Sequence, residues 1–246
     1  MARLPQNQQQ ALDSFQAVGH ASRSEALRIL REHNFDVQAS LNYFFSVSPS
    51  PEEDMTQMEQ AFRKYAVTVN DTDIITFEGF SRLSSDVGLP MDDIRWLIFL
   101  WKGDASQMGE ITQEEFLTGC KALGAYNFPH LQQKLADCNN IIANRRSFSD
   151  FYKWLFGYLK ESPDHRSIVV AHAEVAWRKL FADWSLLEDW IDFVKNHRKL
   201  KLINRDLWTE LFGFINTVGS DLSKFSADDA WPSVIDSFCD WKMKQQ

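Results

Sequence analysis

Apolar side chains recur every three or four residues along nearly all of this chain, a period that commits it to helices packed on one another. Met55, Met58, Phe62 and Tyr65 fall on one helical face, as do Ile94, Leu97, Ile98 and Trp101. Phe148, Phe151, Tyr152, Leu155 and Leu159 form a further stripe, followed by Leu207, Leu211, Phe214 and Ile215, and by Val234, Ile235, Phe238 and Trp241. Only two short runs read as β, 73–76 and 110–112. The expected fold class is all-α. At 246 residues, 44% hydrophobic and 13% aromatic, the chain has apolar mass for a large domain and a small one.

The division between them is marked by Pro49 and Pro51, which oppose helix within a stretch that has nothing to bury. A small module is expected at 6–46, a linker at 47–54 and a large domain at 55–246. In the module, Leu12 and Phe15 precede a loop at Val18-Gly19-His20. Ser22 and Glu25 then fit a capping box, with Ala26, Leu27 and Leu30 on one face behind it. Asp36 can cap a third helix carrying Leu41, Phe44 and Phe45. Three short helices suit a binding module better than an enzyme.

Acidic and basic residues balance up to position 47, so the net charge of −8 belongs to the large domain. Attraction to nucleic acid or anionic lipid is not expected, and a basic protein partner is. The longest apolar run, Trp96 to Trp101, is far too short to span a bilayer, and the first residues lack the apolar stretch of a secretory signal. Cys120, Cys138 and Cys239 are few, odd in number and far apart, which fits a reducing intracellular setting, cytoplasm or nucleus.

Both β-like runs follow a polar loop and precede a helix, the layout of an EF-hand pair. In the second loop, Asp104 to Glu115, Gly109 takes the turn position, Ile111 the apolar position and Glu115 the twelfth, but Met108 stands where a calcium-ligating oxygen is needed. The first loop, with Ile75 at the apolar position, has Asp73 for the turn glycine and Gly79 for the final glutamate. A degenerate EF-hand-like half kept for helix pairing is the expected reading, and a calcium-binding regulatory protein the alternative. No metal, cofactor or phosphate-loop motif is found, and the histidines lack ligand spacing. The cysteines read as small buried hydrophobes rather than nucleophiles. The basic stretch Lys195 to Lys201 reads as a solvated helix end. Residues 221–240 hold five aspartates against one lysine around Ala230-Trp231-Pro232, and the proline puts Asp228 and Asp229 at or before a helix N-terminus.

The segment Asp229-Ala230-Trp231-Pro232-Ser-Val-Ile235-Asp236-Ser-Phe238, with Arg205-Asp206-Leu-Trp208 upstream, resembles the PONY domain of the defective-in-cullin-neddylation family. Phe148-Ser-Asp150-Phe151-Tyr152 and Trp101-Lys102 agree in order and spacing, and residues 6–46 are similar to the ubiquitin-associated (UBA) domain often placed before it. The resemblance implies a non-catalytic scaffold, an accessory ligase factor that promotes attachment of a ubiquitin-like modifier to cullins. By motif position it places the cullin C-terminal domain at Asp206, Ala230 and Asp236, with the cullin's RING subunit as a further candidate contact. It places the N-acetylated methionine of the conjugating enzyme in an apolar pocket of Phe77, Phe80, Trp96, Phe99, Ile111 and Tyr158, with Met108 at the rim. Acetylation removes an amine charge whose unpaired burial would be costly. Trp96 and Phe99 are larger than the family's usual aliphatic residues, and Gly103 stands in place of a bulky aromatic. Weak ubiquitin binding is expected at Val18, Gly19 and His20, with Tyr43 and Phe44 supplying the helix side.

Overall fold

The computed structural model describes residues 4–19, 21, 23–47, 51–226 and 228–245. The chain divides into two units, Met1–Gln57 and Met58–Gln246. In the first, α1 (Gln6–Gly19), α2 (Arg23–Glu32) and α3 (Val37–Val47) close around Leu12, Phe15, Ala26, Ile29, Leu30 and Leu41. Asp36 caps α3 by accepting from the Ala39 amide at 2.9 Å. Ser22, expected in a capping box, and the side chain of Phe45 lie outside the described residues. The linker expected at 47–54 is shorter than the sequence suggested, because α4 (Pro51–Tyr65) begins at the second proline. At a first helical position the missing N–H costs nothing.

After α4 the second unit forms a hairpin of β1 (Val67–Val69) and β2 (Thr72–Ile75), whose turn residues Asn70 and Asp71 both have positive φ, 49° and 63°. The first EF-like loop is therefore replaced by a hairpin, and β1 is a strand the sequence did not suggest. Next come α5 (Phe77–Val87), α6 (Ile94–Lys102), β3 (Ile111–Thr112) and α7 (Gln113–Leu123). β2 and β3 pair antiparallel, Ile75 opposite Ile111, so the two EF-like loops are joined as the layout required. The chain continues through α8 (Phe128–Asp137), a 3-10 turn (Cys138–Ile142) and α9 (Arg145–Tyr158). Then follow β4 (Ser167–Val169), α10 (Val170–Leu180), α11 (Leu187–Asp192), a π-turn (Phe193–His197), β5 (Leu202–Asn204), α12 (Arg205–Thr217), a 3-10 turn (Leu222–Lys224) and α13 (Ser233–Met243). β4 and β5 pair antiparallel, and each leads into a helix, repeating the loop–strand–helix layout of the first half. The all-α class holds, with short strands only where loops meet.

α6 is central. Trp96, Ile98, Phe99 and Leu100 are all buried, so the helix is apolar round most of its circumference, wider than the stripe read from the sequence. It packs on α7, α8, α9 and the 3-10 turn at Cys138. Glycines permit this. A Cβ at Gly103 would lie 2.3 Å from the Glu115 carbonyl oxygen, and one at Gly119 would lie 2.9 Å from the Phe99 ring. The bulky aromatic expected at 103 is thus excluded by the α7 backbone. Likewise, Gly79 lets α5 pass the end of α4, where a Cβ would meet the Tyr65 carbonyl oxygen at 2.2 Å.

A stack of rings ties the later helices together. Tyr152 of α9 lies 4.3 Å from Trp208 of α12 at 8° between planes, and Trp208 is 5.9 Å from Trp177 of α10. Trp177 Nε1 donates to Tyr152 Oη and Trp208 Nε1 to the Tyr152 carbonyl, so these buried indoles are satisfied. Gly103→Ala should lower unfolding stability by about 2–3 kcal/mol in denaturant titration, because a backbone oxygen must move to admit the methyl group.

Candidate functional site

Two surfaces of the second unit stand out. The first is an apolar groove of about 520 Å³ lined by Ile75, Phe77, Phe80, Met108, Ile111, Tyr158 and Val175, among others. A second hollow of about 260 Å³ adjoins it, sharing Phe80, Met91, Asp92, Leu100, Met108, Tyr158 and Val175 and adding Trp96 and His172. The structure thus brings together Phe77, Phe80, Trp96, Met108, Ile111 and Tyr158. Phe99 lines neither hollow: its ring meets Trp96 at 5.9 Å and Phe116 at 5.7 Å, behind the lining. Trp96 is held by a hydrogen bond from Nε1 to the Leu89 carbonyl and by the edge of Phe80. Burial pushes the Tyr158 phenol up to about 12, opposed in part by a hydrogen bond with the Gly109 backbone.

Phe77 is 68% exposed and Val175 58%, which is unusual for large apolar side chains that share one groove. The α10 wall, with His172, Val175, Ala176 and Lys179, was missed in the sequence. Its one available signal was Val175, an apolar residue outside the helix's buried stripe of Val170, Ala173, Ala176 and Trp177. At the rim Lys179 pairs with Asp92 at 2.9 Å, and Asp93 caps α6 while pairing with Arg95 at 2.8 Å. Both carboxyls are held below the usual range, chiefly by these side-chain hydrogen bonds.

The loop bearing Met108 is closed by Glu115. Its Oε1 accepts from Ser106 N at 2.8 Å and Ser106 Oγ at 2.9 Å, and its Oε2 from Thr112 N at 2.8 Å. With Thr112 Oγ1 accepting in return from Glu115 N, this is a full capping box. The acid that would grip calcium in an EF-hand is therefore engaged by its own loop. Among the described residues no group of three or more His, Cys, Asp or Glu side chains converges.

The second surface is acidic. Asp206 is exposed in the first turn of α12, after the N-cap Asn204, and Asp236 lies in the first turn of α13. Ala230 is exposed just before Pro232. Trp231 fixes this approach by meeting Phe214 of α12 edge-on at 5.6 Å. Ala230 and Asp236 are thus brought to one helix start, while Asp206 sits just over two turns before the Phe214 contact with Trp231 on α12, about 12 Å along its axis. Asp236 Oδ1 and Trp231 Nε1 are buried with no hydrogen-bond partner among the described residues. Such buried groups without a partner carry a desolvation cost at this helix start. Asp228 and Asp229 precede α13, as the proline required.

The remaining candidates are placed as follows. Lys195 pairs with Glu174 at 2.7 Å, so the basic stretch is partly neutralised. All three cysteines are free and buried. Burial raises the Cys138 thiol to about 11 and that of Cys239 to about 12, and raises Cys120 further. In the first unit Val18 is 54% exposed, Tyr43 lies against His33 at 4.7 Å and Phe44 against Phe15 at 5.5 Å. Gly19 ends α1, and His20 lies outside the described residues.

A cullin-binding protein with an N-terminal UBA-like module is what the comparisons with known proteins define. Residues 130–241 match the family described as Cullin binding, and residues 9–50 the family described as UBA-like domain. DCN1-like protein 3 of Homo sapiens and that of Pongo abelii are each 30% identical over 209 residues, covering 82% of this chain and 67% of the relative. DCN1-like protein 4 of Danio rerio is 29% identical over 170 residues, 69% of this chain and 60% of that protein. The chain belongs to the DCN1-like family, and with that membership come a cullin partner and a role in cullin neddylation.

The groove and its loop are one construction, so Glu115→Ala should both destabilise the fold by about 2 kcal/mol, through loss of the capping box, and loosen the wall formed by Met108 and Ile111. Thermal unfolding would register the first effect and a loss of apolar-peptide affinity the second.

Proposed function

We propose that this chain is a scaffold that promotes cullin neddylation by holding the cullin C-terminal domain and the N-acetylated end of the conjugating enzyme at once. One observation carries the reading: a single unit bears an acidic helix start, inside the cullin-binding segment, and a separate apolar groove. Asp206, Ala230 and Asp236 would meet the cullin's basic surface. The −8 charge favours that encounter, and charges of this kind set on-rate and register more than affinity. Ala230 offers a small side chain where a partner group must approach, beside the carboxylate charge of Asp236.

The groove would take an uncharged apolar chain end, entered over Phe77 and Met108. Holding both partners turns a second-order encounter into an intramolecular one at an effective concentration near ~1 mM for a short tether. No chemical step is assigned to this chain. Its buried thiols, held protonated by burial, support that assignment, because a nucleophilic cysteine needs exposure and a lowered pKa. Buried free thiols also suit the intracellular setting in which cullins would be met. The UBA-like module would add weak contact with ubiquitin around Val18, Gly19 and His20 and along α3 at Tyr43 and Phe44. A calcium-sensor reading is disfavoured by the engagement of Glu115 within its own loop.

Asp236→Lys should abolish cullin capture in a pull-down while leaving the circular dichroism spectrum unchanged, and undiminished capture would remove the assignment of the acidic surface. A methionine-led peptide should bind the chain far more tightly when N-acetylated than with a free amine. Equal affinities in fluorescence anisotropy would contradict the groove reading.

A further inference from the structure

His172 lines the hollow that adjoins the groove and is the one residue of that lining whose charge ordinarily changes between pH 5 and 8. It stands in the first turn of α10, half-buried, in a wall otherwise made here of Leu155, Leu159, Val175 and Ala176. Its Nδ1 lies 3.1 Å from the Leu159 carbonyl oxygen. A carbonyl only accepts, so Nδ1 carries the proton and, in the neutral ring, Nε2 holds the lone pair. We propose that His172 makes the groove pH-gated: the neutral imidazole supplies an acceptor for an N–H of the bound chain end, and the imidazolium rejects that ligand. The inference rests on the groove reading given above and adds to it the residue that selects the ligand's state.

Two physical effects give the sign. A bound apolar segment covers His172 and strips water from it, which disfavours the charged ring. The N-terminus of α10 also disfavours a cation there. The other ionisable groups facing this hollow are committed elsewhere. Asp92 is paired with Lys179 from the same helix, Asp93 with Arg95 of α6, and the Tyr158 phenol of α9 is raised to about 12. Glu110 lines the larger groove and not the hollow that holds His172. On α10 itself, Glu174 is engaged by Lys195 and Arg178. Because ligand binding must then displace a proton from His172, affinity falls as the pH is lowered, by up to about tenfold per unit.

The test uses the full chain and an N-acetylated, C-amidated methionine-led peptide without ionisable side chains, so that every pH effect comes from the protein. Fluorescence anisotropy at pH 7.5 and pH 5.5 should show a Kd about tenfold weaker at the lower value. His172→Phe should remove the pH dependence and weaken binding at pH 7.5. His172→Gln, which keeps an acceptor without a charge, should bind more tightly at pH 7.5 than the Phe variant and show no pH dependence. A Kd that is flat with pH in the parent chain, or equally pH-dependent in the Phe and Gln variants, would overturn the proposal while leaving the groove reading intact. Absence of peptide binding by the parent chain at both pH values would instead remove the groove reading, and this inference with it.

Discussion

The large unit depends on how closely α7 can approach α6. At Gly103 and Gly119 there is no room for a side-chain carbon, because the Glu115 carbonyl and the Phe99 ring already occupy the space. That approach buries α6 on almost every side and places β3 against β2, which aligns the two EF-like loops. Glu115 then closes its own loop on Ser106 and Thr112. A metal-binding geometry has been converted into a hydrogen-bonded wall, and Met108 and Ile111 stand on that wall. The groove is therefore a consequence of backbone contact between two helices, with Phe99 and Phe116 as its foundation.

The two proposed recognition surfaces belong to one rigid construction within the second unit. α10 supplies a wall of the groove, and α12 carries Asp206 in its first turn. Trp177 of α10 and Trp208 of α12 are stacked, and Tyr152 of α9 completes the layer, with each indole N–H satisfied. Satisfied buried polar groups of this kind specify one packing rather than several. A scaffold of this sort gains from rigidity, since orienting two partners contributes beyond merely concentrating them. The Asp92–Lys179 pair at the groove rim is exposed and adds little to stability, so its effect is on the shape of the opening.

Helix positions were legible because burial on one face leaves a period that can be counted. The stripes at 148–159, 207–215 and 234–241 fall on α9 and its C-cap Leu159, on α12 and on α13, and supply buried residues to each. The acidic helix start could also be read, since a proline permits few places in a helix and Asp236 follows it by one turn. What escaped were features set by distant segments. β1, β4 and β5 are three residues each, too short for alternation to register, and exist only because their partners come to them. α6 looked like a stripe because a one-faced pattern was sought in a helix that has no exposed face. Phe99 and Trp96 are alike in sequence, three residues apart, yet only Trp96 borders a hollow, while Phe99 packs on Phe116 and against Gly119. The α10 wall lay outside any motif, and His172 offered no spacing by which it could have been singled out.

The central claim is that one chain grips cullin and conjugating enzyme together. Reconstituted cullin neddylation at limiting conjugating enzyme tests it most directly, comparing the intact chain with an equimolar mixture of two variants, Asp236→Lys and Phe80→Glu, each lacking one surface. The account predicts acceleration by the intact chain and none by the mixture, because neither variant can bridge. Acceleration by the mixture equal to that of the intact chain, or no acceleration by the intact chain, would contradict it.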